Sequence, residues 1–132
     1  MAAFAGFLSG REAARHMKKR NRGSIFFTGA TASVRGGSGF AAFSSAKFAL
    51  RSLSQSMARE LGPQGIHVAH FIIDGAIDTA FIKENFPDVY ALKEKDGILQ
   101  PNAIADAYWF VHTQEKNAWT HELDLRTYME KF

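Results

Sequence analysis

The chain has 132 residues, 46% of them hydrophobic and 13% aromatic, with a formal net charge of +3 and no cysteine. It is too apolar for a disordered chain, and without cysteine it has neither a disulfide framework nor a thiolate metal site. No apolar run is long enough to span a bilayer, and the apolar stretch 1–8 breaks at Ser9-Gly10-Arg11 with no basic segment ahead of it. A membrane helix and a secretory leader are therefore not expected, and the expected location is the cytoplasm.

Phe4, Phe7, Leu8, Ala14 and Met17 recur at helical spacing and predict a helix over 2–19, stopped by Asn21-Arg22-Gly23. Most of the excess positive charge lies in Arg15-His16-Met17-Lys18-Lys19-Arg20-Asn21-Arg22. Cations at a helix C-terminus complement its dipole, and no aromatic platform accompanies them, so nucleic acid is not an expected partner. Residues 24–28, apolar without alternation around Ile25, Phe26 and Phe27, predict a strand buried on both faces of a parallel sheet. The loop 29–39 is rich in Gly and small polar residues and able to approach a ligand closely. A helix is predicted over 40–61, stopped by Gly62 and Pro63, with apolar residues over more than one stripe (Phe43, Leu50, Leu53 and Met57, with Phe48 and Ala49 beside them).

Residues 67–73 (HVAHFII) predict a second strand running into the loop 74–79. Two short helical pieces, 81–86 and 88–94, are divided by Pro87, and Pro101 opens a helix over 102–112. The alternation in 118–125 (AWTHELDL) predicts a last strand, and the tail 126–132 is expected to lack order unless a neighbour holds it. Helices alternating with strands imply crossover connections, hence one α/β domain over 1–132 with helices packed on a small parallel sheet.

Residues 23–73, GSIFFTGATASVRGGSGFAAFSSAKFALRSLSQSMARELGPQGIHVAHFII, resemble the catalytic segment of the short-chain dehydrogenase/reductase family. The resemblance implies a truncated Rossmann-like three-layer fold matching the family's C-terminal half. In that family a Tyr transfers the proton, a Lys four residues on lowers its pKa and holds the nicotinamide ribose, and a Ser thirteen residues before the Tyr orients the carbonyl. The resemblance puts Lys47 at the Lys, Phe43 at the Tyr and Ala30 at the Ser; Met1-Ala2-Ala3 falls where the family's Asn is expected. Phe has no proton to give, so the usual carbonyl chemistry through that position is excluded. The loop 74–79 resembles the family's Pro-Gly-x-x-x-Thr segment with Asp74 in place of Pro, which implies cofactor contacts at Ile77 and Thr79 besides Lys47. From the residues alone, Thr79 reads as a helix N-cap. Gly36-Gly37-Ser38-Gly39 follows the wrong strand and lacks the spacing of a dinucleotide loop. No cofactor is therefore expected on the chain alone, and NAD(P) only if an oligomer rebuilds a cleft.

Ser44 and Lys47 stand at S-x-x-K spacing, which in some serine hydrolases pairs a nucleophile with its activating amine. The five His show no metal-site spacing; His67 and His70, three apart on a strand, are expected on opposite faces. Trp109, Phe110 and Trp119 read as packing residues, and Asp106, Glu122 and Asp124 as solvated or capping ones. The expected function is that of a short-chain dehydrogenase/reductase-like, oxidoreductase-family protein, truncated and impaired in NAD(P)-dependent redox chemistry. The alternatives are a serine hydrolase using Ser44 and Lys47, and a non-catalytic oligomerisation module. The first predicted strand lies at a sheet edge, and the family pairs the helices 2–19 and 40–61 between subunits. Together these imply a homo-oligomer, dimer or tetramer, with a full-length relative as a further candidate partner.

Overall fold

The computed structural model describes residues 2–131. Its elements are α1 (Ala2–Lys18), β1 (Gly23–Ala30), α2 (Ala41–Leu61), β2 (Ile66–Asp74), α3 (Ala80–Asn85), α4 (Pro87–Tyr90), α5 (Pro101–His112) and β3 (Glu122–Arg126). Single turns of 3-10 helix lie at Thr31–Ser33, Gly62–Gln64 and Ala91–Lys95. The three strands form one parallel sheet in the order β1-β2-β3, with Gly23 opposite Ile66, Ala30 opposite Ile73, and His70 opposite Glu122.

All nine residues of the central strand are buried, because helices cover both faces of the sheet. Side chains alternate across a strand, so the two faces can be read by parity. Ile66 and Val68 join Ile25 and Phe27 of β1 beneath α1 and α2, where Ala14, Leu50 and Leu61 complete one core. Ala69, Phe71 and Ile73 face the opposite way, against Val111 and Tyr108 of α5 and Leu123 and Leu125 of β3. Phe71 is fully enclosed, its ring stacked on Tyr108 at 3.7 Å between centroids and edge-on to Phe26 at 5.3 Å. The result is the three-layer α/β arrangement expected from the sequence, and no helix is long and apolar enough to cross a membrane among the described residues.

Several boundaries differ from the sequence reading. β1 runs on through Gly29 and Ala30, because both still pair with β2. The left-handed residue that ends the α2 segment is Gly65 (φ 80°) and not Gly62, which stays right-handed and opens the 3-10 turn containing Pro63. The last strand begins four residues later than predicted. Residues Trp119 and Thr120 alternate like a strand but do other work: Trp119 stacks on His67 at 4.5 Å, and Thr120 is clasped by the Gln114 amide through bonds of 2.8 and 2.9 Å. Arg126, read as tail, belongs to β3, and Tyr128 donates to the Lys95 carbonyl at 3.2 Å, so the domain itself holds this segment. Phe132 of the expected tail and Met1 lie outside the described residues.

Replacing Phe71 by Ala removes the ring that joins α5 to the sheet and should cost about 3–5 kcal/mol in guanidinium unfolding. A loss below about 1 kcal/mol would mean that α5 does not depend on this contact.

Candidate functional site

The C-terminal ends of β1 and β2 and the start of α2 enclose an open cavity of about 380 Å³, with Ala30, Thr31, Phe43, Ser44 and Ile73 in its wall. The geometry follows from the sequence. Parallel strands end on one side, the loop after β1 is rich in glycine, and α2 brings Phe43 and Lys47 to one face by being four residues apart.

Lys47 donates to the Thr28 carbonyl at 3.0 Å, a group near the end of the edge strand β1. Its ammonium lies 5.8 Å from the centre of the Phe43 ring, and partial burial lowers its pKa. Ala30 presents a methyl group where the family resemblance sought a hydroxyl, and its backbone N–H donates to Ser33 Oγ at 3.0 Å. Ser44 is buried, and its hydroxyl has no hydrogen-bond partner. Ser44 and Lys47 therefore share a helix face region without a bond between them. A buried hydroxyl left unbonded costs about 1–3 kcal/mol, and this oxygen has almost no accessible surface. Ile77 lies further along, in an isolated parallel bridge with Leu99, and Thr79 Oγ1 caps α3 by accepting from Ile82 N at 3.3 Å. Thr79 thus acts as the N-cap that its own sequence context suggests.

The structure also assembles groups that the sequence reading left apart. Asp74, taken as a loop residue, ends β2 with 2% exposure, accepts a hydrogen bond from Thr31 Oγ1, and faces Arg126 at 3.3 Å. Glu122, read as solvated or capping, receives Arg51 through two bonds of 2.7 and 2.8 Å and His70 Nδ1 at 3.0 Å. His70 is fully buried on the α2 side, whereas His67 faces α5 and stacks on Trp119, so the two do lie on opposite faces. Glu122 is an acceptor, which assigns the imidazole proton to Nδ1. Nε2 then carries a lone pair toward the buried Ser33 and the Gly29 backbone, and no hydrogen bond reaches it. Gly29 permits this approach: a Cβ there would overlap both His70 Nε2 and Ser33 Oγ. No local motif signals this cluster, because its members come from β1, α2, β2 and β3. Among the described residues no group of three His, Asp or Glu is placed to hold a metal ion.

The family profile described as short chain dehydrogenase matches residues 2–89. A (21S)-21-acetoxyl-apo-melianone synthase of Melia azedarach is 30% identical over 118 residues, covering 83% of this chain and 43% of that protein. A 3-dehydrosphinganine reductase of Danio rerio is 32% identical over 92 residues, covering 67% of this chain and 28% of that protein. The crystal structure of a short-chain dehydrogenase from Rhodopseudomonas palustris is 52% identical with a TM-score of 0.75, covering 97% of this chain and 49% of that one. The chain thus spans less than half the length of these relatives.

Burial lowers the pKa of His70, and the Arg51 bond holds the Glu122 carboxyl below its usual range. A group depressed in the folded state contributes stability above its unfolded pKa and loses it as pH falls. Guanidinium midpoints should therefore drop on acidification below about pH 6.5 as the unfolded chain takes up the His70 proton, and again below about pH 4.5 through Glu122. His70→Gln should flatten the first step, leaving the part due to His67, whose pKa burial also lowers. An unchanged first step would show that folding does not depress the His70 pKa.

Proposed function

The chain belongs to the short-chain dehydrogenase/reductase family, and from that premise we propose that it is an oxidoreductase-family domain with impaired NAD(P)-dependent redox chemistry. The observation that carries this reading is the Phe43–Lys47 pair. The lysine stands on the helix face beside the cavity, with two of its three N–H donors left after the bond to Thr28, but its neighbour is a benzene ring without a proton to transfer. Ala30 likewise offers nothing to a carbonyl oxygen.

A nicotinamide dinucleotide would supply hydride chemistry when bound. The residues present fit one end of it: the spare Lys47 donors suit a ribose, and Ile77 and Thr79 lie along the loop that follows β2. Among the described residues no glycine-rich turn of the kind that cradles a pyrophosphate joins a strand directly to a helix. The hydrolase reading draws little support, since Lys47 bonds to Thr28 and Ser44 Oγ is unbonded.

A second reading, an assembly module, rests on exposed apolar surface. Phe7 lies 46% exposed along a groove between α1 and α2 that also holds Leu53 and Met57, while Phe4 and Phe48 are exposed on the same two helices. Among the described residues, no strand pairs with the outer edge of β1. Helix pairing between copies would bury the first surface, and a partner strand would cover the second.

Calorimetric titration with NADH and NADPH, with the oligomeric mass measured in the same buffer, tests the redox reading. The chain should show no saturation below about millimolar cofactor and no turnover of carbonyl substrates, with a mass above that of a monomer. Carbonyl reduction with Phe43 in place would overturn the reading.

A further inference from the structure

The helix dipole accounts for only part of the basic run at the end of α1. The helix stops at Lys18, so Arg20 and Arg22 lie beyond its last turn. Asn21 between them is left-handed (φ 50°), and Arg20 Nε donates to the Arg22 carbonyl at 3.3 Å across this bend. Both exposed side chains line an open cleft of about 530 Å³ where β1 and β2 begin, at the opposite end of the sheet from the Phe43 cavity. Lys116 and Trp119 line the same cleft, brought there by the segment between α5 and β3. A Cβ on Gly65 would lie 3.3 Å from Lys116 Nζ, so the ammonium sits close against the turn that opens β2.

In the sequence no aromatic platform stands beside the basic run, but the fold supplies one in Trp119, half-buried and stacked on His67. The other polar side chains of the cleft are engaged: Ser24 with His112 at 2.9 Å, and the Gln114 amide with Thr120. Arg20, Arg22 and Lys116 are what remains to meet a ligand. No carboxylate lines the cleft, and none of the three cations forms an ion pair among the described residues.

We propose that this cleft binds a phosphate monoester of a planar aromatic group, with the phosphate held by Arg20, Arg22 and Lys116 and the ring laid against Trp119. A phosphate dianion suits the site better than a carboxylate, because its three terminal oxygens can accept from several cationic donors at once. Its charge also offsets most of the three positive charges gathered here. None of these residues belongs to the cavity at the other end of the sheet, so the site stands independently of the redox reading.

The test titrates the full chain with phenyl phosphate, methyl phosphate and benzyl alcohol in low-salt buffer, followed by heteronuclear NMR. With phenyl phosphate the Trp119 indole and Gly65 amide resonances should move to saturation below about 10 mM. Methyl phosphate should need about threefold more, and benzyl alcohol should leave both resonances in place. Arg22→Ala and Lys116→Ala should each weaken phenyl phosphate at least about threefold. Lys95→Ala removes the same charge from an exposed position outside the cleft and should leave binding unchanged. No saturable shift, equal affinity for methyl and phenyl phosphate, or equal weakening by Lys95→Ala would overturn the proposal. Should a variant fail to fold, the wild-type order of the three probes decides alone.

Discussion

The burial of β2 on both faces governs the rest of the molecule. A parallel strand enclosed between helical layers has no solvent-facing side, so each of its residues must either join a core or satisfy its polar groups inside the protein. Ile66 and Val68 fill the layer under α1 and α2, while Ala69, Phe71 and Ile73 fill the layer under α5. The polar members of the strand have no other recourse than partners from neighbouring elements. His67 bonds the Thr120 carbonyl at 2.7 Å, His70 bonds Glu122, and Asp74 bonds Thr31 and Arg126. The polar architecture around the cavity follows from this single strand.

That architecture separates scaffold from chemistry. Lys47 is fixed by a carbonyl at the sheet edge, so its place needs nothing from a phenol or a cofactor. Phe43 on the same helix face, where the family resemblance puts the proton-transferring residue, is an aromatic hydrocarbon, 48% exposed at the cavity. Lysine without a phenol can still bind and orient through its charge, but it has no neighbouring acid whose pKa it could tune. Membership of the family therefore establishes descent and fold, while the activity must be argued from the side chains in this cavity.

The fold was largely legible in the sequence because its signals are local. The unbroken apolar runs at 24–28 and 67–73 reported strands buried on both faces, and Pro87 and Pro101 marked real helix starts. The last strand was misplaced because alternation reports which side chains point inward, and Trp119 does so from a loop. Spacing along α2 put Phe43 and Lys47 on one helix face, as found; the roles of Lys47, Phe43 and Ala30 are what the family resemblance implies. The Arg51–Glu122–His70 chain and the Thr31–Asp74 pair were not legible, since their partners lie 71, 52 and 43 residues apart and meet only through strand register. Asp74 looked like a loop residue because an aspartate at the end of an apolar run usually marks the exit to solvent. Here β2 carries it inward by one more residue.

The central claim is that the Phe43–Lys47 geometry of a proton-transfer site persists without the proton. An ultraviolet pH titration of Phe43→Tyr, taken as a difference against wild type to cancel the three native tyrosines, measures this directly. The nearby Lys47 ammonium should stabilise the new phenolate and draw its pKa below the ordinary value of about 10. A phenol that titrates at or above that value would contradict the account, because the lysine would then stand too far away or too well screened to have served such a site.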